Sequence, residues 1–586
     1  MILSYRQQEG GLMASKAIKI FGIILAVLII MLGTGIYAIY QLTRPPEIKI
    51  SQNSILELSV GGQLPSFPPS SPFAMVFGQN KLSLLEMGQV FREAARDERI
   101  LAIYLKIFPL LTGFAEIEEL RDFMNEFRKS NKKIYTYLNL DLVNESELYL
   151  ASASDQIYLN PESALLINGL AAEFTFFQKM MYRLKIQPDV LQFKEFKSAE
   201  NFTRSSLTSE VRLMFKSILL DMQQRFIETI AQEREINTND LEKLLDFGII
   251  SSTVALNTKL VTHLGYEDQI KHQLNLPVDN ENIVFTQYLR HLKNKKLLPS
   301  KIKIALLAGT GPILSGVGSD NFSSYMDPDS MVSTLREIRK NKDIKALLFR
   351  INSPGGSAVG SDKIWREIYL MEKEGKPVVV SMGGTAASGG YYIAVPARKI
   401  VAQPSTITGS IGVIFQKFNV SGLFDHWLGI TVDRIKLNAN ADIFSPTTTL
   451  TVKQKNQVKE WMTQIYNTFV RKAAEGRNMS FEDLERQAGG RIYTGNQAKD
   501  RRLIDELGGI TTALNLIKKE LEIPEAENLD MILFPKTKSL LEIILEGDLV
   551  PRSLIQSQSF QAFIQEHFSS FLTPAPWLLA PDLIIN

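Results

Sequence analysis

Pro377-Val378-Val379-Val380-Ser381-Met382-Gly383-Gly384-Thr385-Ala386-Ala387-Ser388-Gly389-Gly390-Tyr391-Tyr392 is the stretch around which the rest of the chain is read. Val378 to Met382 is a β-branched, apolar run of the kind found in a buried strand, and Ile393-Ala394 beyond the tyrosines can continue a helix. Ser388 therefore falls where a strand end turns into a helix. Small neighbours let a substrate backbone approach its hydroxyl, and a helix N-terminus presents N–H groups that favour developing negative charge. That suits a nucleophile. Capping a helix in a glycine-rich turn is the ordinary task of such a serine, and both readings stand at this point.

Outward from this stretch, strands and helices alternate. Upstream lie a strand Ile302 to Leu307, a helix Ser330 to Arg339, a strand Ile344 to Ile351 and a helix Asp362 to Lys373. The same order occurs earlier: a strand Ser54 to Val60, a helix Leu84 to Arg96, a strand Ile100 to Ile107, a helix Glu116 to Phe127, a strand Lys133 to Leu138 and a helix Glu145 to Ala153. Such alternation predicts parallel sheets covered by helices. At a constant offset of 243, Tyr149 matches Tyr392, Ile157 matches Ile400, Pro161 matches Pro404, Gly169 matches Gly412, Leu241 matches Leu484, and Leu264-Gly265 match Leu507-Gly508. The chain is a tandem repeat of two α/β domains, residues 50–265 and 301–521, with a polar linker at 266–300 and an extension at 522–586.

The halves differ in an informative way. Glu145 stands where the second half has Ser388, and Pro354-Gly355-Gly356 has no counterpart in Ile107 to Leu111. Conversely, Phe196-Lys197-Ser198-Ala199 faces Ala439-Asn440-Ala441-Asp442. Each half keeps one part of a site that the other lacks.

The 586 residues carry 45% hydrophobic residues and a formal net charge of +2, which gives no bulk basicity for nucleic acid. With no cysteine, thiolate nucleophiles, disulfides and cysteine-based metal sites are excluded. From Ile20 to Thr43 the chain is uncharged and long enough to cross a bilayer core of ~30 Å. Arg6, Lys16 and Lys19 precede it, so residues 1–19 are expected to stay cytoplasmic and the remainder to be exported behind a single retained anchor at 20–43.

A serine hydroxyl needs a base. None of His263, His272, His291, His426 and His567 lies in a recognisable motif. Lysine serves once its pKa is lowered by desolvation, and Lys197 sits between aromatics in Phe193-Lys194-Glu195-Phe196-Lys197. A solvated lysine paired to Glu195 is the ordinary alternative. Asn352-Ser353-Pro354-Gly355-Gly356-Ser357 follows the strand one position away from Ser388, so Gly355 or Gly356 together with Gly389 are candidate donors to an oxyanion.

Together NSPGGS (352–357), SMGGTAASGGYYIA (381–394), TITGSIG (406–412) and FKSAENFTRSSLT (196–208) resemble the signal peptide peptidase A family in its long, duplicated, membrane-anchored form, over about Ser54 to Leu521. The resemblance implies two crotonase-like (Clp protease-like) α/β domains and a serine endopeptidase with a Ser-Lys dyad. Ser388 would be the nucleophile, Lys197 the general base, Ser410 the group orienting the lysine, and Gly355, Gly356 and Gly389 the oxyanion hole. It further implies a homotetramer in a bacterial inner membrane, facing the periplasm, with the dyad supplied by neighbouring subunits. Its substrates would be hydrophobic peptides, chiefly signal peptides left in the lipid bilayer, and no cofactor, metal or nucleic acid is expected. Two other readings remain: a catalytically inactive membrane scaffold, which predicts Ser388 and Lys197 far apart, and an acyl-CoA enzyme of the crotonase type, which predicts an adenine-nucleotide pocket.

Overall fold

A computed structural model describes residues 50–68, 82–197, 199–273, 283–294, 302–315, 325–524 and 527–535, together with the backbone of 576–579. The expected anchor at 20–43 and most of the extension lie outside the described residues. Among those described, no helix is long and apolar enough to cross a membrane.

The first half builds a six-stranded sheet in the order Ile283–Val284, Ser54–Gly62, Ile100–Leu110, Lys133–Leu138, Gln156–Leu159, His263–Leu264. Every neighbouring pair in it is parallel. The second half repeats that order with Asp530–Phe534, Lys303–Thr310, Ile344–Ser353, Val378–Ala387, Lys399–Ala402 and Glu506–Leu507, again parallel throughout. The repeat seen in the sequence is thus a repeat of topology.

The expected linker is smaller than 266–300. Ile283–Val284 pairs with Ser54–Gly62, and the helix Phe285–Asn294 packs Phe285 and Tyr288 into the first half. In the same way Asp530–Phe534, part of the expected extension, forms the edge of the second sheet. Both edge strands are short and carry charged or polar neighbours, which hides their apolar side chains from a reading by periodicity.

Strands buried on both faces explain the continuous apolar runs. Val378 and Val380 enter one core with Leu347, Phe349 and Trp365, whereas Val379 enters the opposite one with Leu348, Ala513 and Ile517. Helix starts are fixed locally. Thr208 and Thr451, equivalent by the repeat, each accept an N–H from the first turn of the long helices Ser209–Arg234 and Val452–Gly476.

The halves are joined by an acidic helix, Phe114–Arg128. Its Glu116 accepts the Gly384 N–H at 2.8 Å, Glu118 accepts the Ser405 N–H and hydroxyl at 2.8 and 2.7 Å, and Glu119 pairs with Arg350 at 2.7 Å. Burial pushes the Glu118 carboxyl up to about 7, opposed by Arg225 and the Ser405 hydrogen bonds. Each of these carboxylates is buried but hydrogen-bonded, which is the condition for tolerating it.

Candidate active site

Ser388 stands alone between two elements. The strand before it does not stop at Met382 but runs through the glycines to Ala387, because Thr385 to Ala387 pair with Ile407 to Gly409. The helix Gly389–Ala394 begins directly after it. To make that junction Ser388 takes φ 55° and ψ −117°, a conformation that costs a non-glycine residue about 1–3 kcal/mol. Its backbone is held on both sides: Ser388 N–H donates to Gly409 O at 2.8 Å, and Tyr392 N–H donates to Ser388 O at 2.8 Å.

Lys197 comes from the first half. The strand Gln187–Gln192 crosses over and pairs antiparallel with Ile414–Asn419 of the second half, and the chain continues through Phe193, whose N–H donates to Val413 O. Phe196 N–H then donates to Gly489 O, and Lys197 turns inward. Its Nζ lies 2.6 Å from Ser388 Oγ, 2.9 Å from Ser410 Oγ and 3.1 Å from Ser410 O. All three side chains are buried. Burial alone holds the Lys197 amine well below its ordinary value, so the neutral form, which can accept a proton, is favoured. Ser410 itself sits at φ 53°, with its N–H on Arg491 O.

The glycine strand Gly355–Ser357 lies beside this pair. A Cβ on Gly389 would stand 3.1 Å from both Gly355 Cα and Gly356 N, so the two glycine turns are in contact. Gly356 has φ 150°, and a Cβ there would meet Ile313 O at 2.1 Å. The Gly355 N–H donates to Ser353 Oγ at 3.2 Å, which leaves Gly356 and Gly389 the better-placed donors of the three.

Two contributors escaped the sequence. Gly490, at φ 86°, gives Lys197 its passage: a Cβ there would lie 2.4 Å from Lys197 N and Cβ. Only the pair Gly489-Gly490 hinted at it, as one turn signal among many. Glu116 is the other. Gly383 and Gly384, read as clearance for a substrate, lie against its carboxylate, and a Cβ on Gly384 would meet it at 3.1 Å.

The segment Pro576–Leu579 runs antiparallel to the glycine strand, Gly355 opposite Leu579 and Gly356 opposite Leu578, and on its other side meets Ile414 and Phe415. The groove between these two strands therefore admits an extended backbone. The histidines lie elsewhere: His263 hydrogen-bonds Thr262, His291 stacks near Tyr288 and His426 borders Trp427. Among the described residues there is no group of three His, Cys, Asp or Glu arranged to hold a metal. The expectation of a dyad supplied by two subunits is corrected, since a single chain brings Lys197 and Ser388 together.

The model of peptidase family S49 matches this chain twice, at residues 126–279 and 371–524. The chain is 29% identical to the chloroplastic serine protease SPPA of Arabidopsis thaliana over 86% of its own length and 74% of the other's. It is 26% identical to Protease 4 of Salmonella typhi over 95% and 91%. A putative signal peptide peptidase SppA of Enterococcus faecium matches 39% of this chain and 66% of its own at 36% identity. These matches define a class, a serine peptidase built from two α/β repeats. More narrowly, the chain belongs to peptidase family S49, among the proteins named Protease 4 and SppA.

Proposed function

We propose that this chain is a membrane-anchored serine endopeptidase that works through an acyl-enzyme on Ser388, with Lys197 as general base. The observation that carries the reading is the 2.6 Å contact between Lys197 Nζ and Ser388 Oγ in a buried, water-poor setting. A neutral amine takes the hydroxyl proton as Oγ attacks the peptide carbonyl carbon. Ser410 Oγ accepts one amine hydrogen and so turns the nitrogen lone pair toward Oγ. Negative charge develops on the carbonyl oxygen, opposite the N–H groups of Gly356 and Gly389. As the tetrahedral intermediate collapses, the ammonium returns its proton to the leaving amine. Water then enters, Lys197 removes its proton, and the ester is hydrolysed.

A peptide is the expected substrate because the site offers two strand edges, Gly355–Ser357 and Ile414–Asn419, and the strand Pro576–Leu579 adds to both. Hydrophobic peptides, such as signal peptides left in the bilayer, fit an enzyme anchored by residues 20–43 in a bacterial inner membrane with its catalytic part on the periplasmic side. The scaffold reading requires the two groups to be separate, and at 2.6 Å it has no support. The crotonase-like identity of the repeats belongs to this proposal too, but acyl-CoA chemistry would leave Lys197 without a task.

Replacing Ser388 with Ala tests the reading. Cleavage of an apolar peptide and covalent labelling by a serine-directed phosphonate are both expected to vanish. Labelling that persists at another residue would refute it. Replacing Lys197 with Ala is expected to lower kcat by ~10³-fold, as for loss of a general base.

A further inference from the structure

The contact between the two halves of one chain has an unfilled duplicate. Within the chain, Gln187–Gln192 of the first half pairs with Ile414–Asn419 of the second. Asp189 fastens the crossing: buried, it accepts the Leu450 N–H at 2.6 Å and pairs with Lys455 at 2.9 Å. By the repeat, the receiving strand corresponds to residues 171–176, and Leu450, Thr451 and Lys455 correspond to Leu207, Thr208 and Arg212. With the offset moved by one, to 244, Ile186, Asp189, Leu191 and Phe193 match Ile430, Asp433, Ile435 and Leu437. Both partners of the crossing are therefore present a second time. In the described chain they do not meet.

Their surroundings are those of parts awaiting a partner. Residues 425–441 are exposed without interruption, Ile435 at 94% and Leu437 at 96%, and Ile430, Val432 and Phe444 are exposed nearby. Monomers rarely expose such a run of large apolar side chains. Leu191 and Phe193, which they match, pack against the second half's core. Residues 171–176 carry none of the named strands, and Ala171, Glu173 and Thr175 are exposed, whereas Ile414–Asn419 is almost wholly buried.

We infer that residues 430–437 of one copy pair antiparallel with residues 171–176 of a second copy, repeating between chains the contact that joins the halves within a chain. Transferring the observed register sets Arg434 opposite Glu173, Ile435 opposite Ala172 and Asp433 opposite Phe174. Asp433 then reaches Arg212, as Asp189 reaches Lys455. The charges are complementary at both places, although nothing in the transfer required it. Arg434 gives up its present contacts with Ser445 and Thr447 for Glu173.

Because one copy offers its second half and the next receives with its first, the contact is head-to-tail, and successive copies close into a ring. The ring alternates two kinds of junction. Those within a chain hold Ser388 and Lys197. Those between chains hold Glu145 and the neighbourhood of Asn440-Ala441 at the same places, so they join copies without that chemistry. The inference stands apart from the hydrolytic reading, since a Ser388→Ala chain assembles equally.

The absence of cysteine makes the test direct. Full-length chain carrying Glu173→Cys and Arg434→Cys is oxidised in detergent and run without reductant. A ladder of dimers and larger species that collapses with dithiothreitol is expected, and each single variant stays at one chain. No ladder from the pair, or an equal ladder from either single variant, overturns the proposal. In a second arm, light scattering follows Asp433→Arg, which is expected to reduce the assembly to single chains of 66.0 kDa, and Arg212→Asp in the same chain is expected to restore it. An Asp433→Arg chain that stays assembled overturns it as well.

Discussion

Glu119 of the first repeat and Arg350 of the second meet at 2.7 Å with both side chains almost wholly shielded from solvent. Arg350 also donates to Ser381 Oγ at 2.7 Å and Ser66 Oγ at 3.1 Å, so its guanidinium is satisfied by three elements at once. This pair holds the strand next to Ser388 against the first half. Lys197 can reach the serine only while the halves stay so joined.

Breaking that pair on one side leaves a charge buried and unmatched. Glu119→Ala is expected to destabilise the chain by about 3–5 kcal/mol. Glu119→Leu with Arg350→Met, which removes both charges, is expected to recover most of that loss. Denaturant unfolding of the three variants checks it. A Glu119→Ala chain as stable as the parent would show that the pair does not bind the halves together.

Lys197 is expected to be a stability cost that the active site carries. Its amine is held well below the ordinary lysine value of 10.5 by burial. Between the folded value and 10.5 the unfolded chain binds a proton at this position that the folded chain does not. Stability at this site therefore rises with pH across that window and levels off above it. Lys197→Met is expected to be more stable than the parent at pH 7, with the gain shrinking as pH rises toward the ordinary lysine value, while activity is lost. The parent's kcat/KM, in turn, is expected to fall on the acid side at a pH well below that value. Thermal unfolding of both chains from pH 6 to 10 reads the first effect and a pH–rate profile the second.

Gly490 tests whether the lysine's path matters as much as its identity. Gly490→Ala puts a methyl group where Lys197 N and Cβ now pass, at a backbone angle that alanine resists. The expected result is a fall in kcat of about 10²-fold with KM little changed, as for a catalytic group displaced by about 1 Å. An unchanged kcat would mean that Lys197 is not held by this contact.

The strand Pro576–Leu579 occupies the edges a substrate peptide would use. Removing residues 576–586 is expected to lower KM for short apolar peptides and leave kcat unchanged, since the deletion frees the groove without touching the dyad. Steady-state kinetics on both chains decides. An unchanged KM would show that the segment and a substrate do not compete.

Much of this arrangement was legible in the residues. The β-branched runs at Ile344 to Ile351 and Val378 to Met382 read as strands because both of their faces are buried, and the 243-residue repeat showed two sheets before either was seen. Ser388 was marked by its place between a strand and a helix. Lys197 was marked by its absence from the other repeat. What stayed hidden depends on contacts between distant residues. Gly383-Gly384 looked like a loop, yet Glu116 from 268 positions away holds it as strand. Ile283–Val284 is too short to show a period and is fixed only by pairing with Leu56 and Glu57. That one chain supplies both members of the dyad followed from the crossing at Gln187–Gln192, which no local pattern announces.

The most direct test of the central claim, that one chain brings its own amine to its own alcohol, is the activity of an assembly made by co-expressing Ser388→Ala chains with Lys197→Ala chains. Each chain then lacks one member of the pair, so the mixed assembly is expected to be as inactive as either variant alone. Activity recovered in the mixture, and absent from each variant by itself, would contradict the account by showing that the dyad forms between chains.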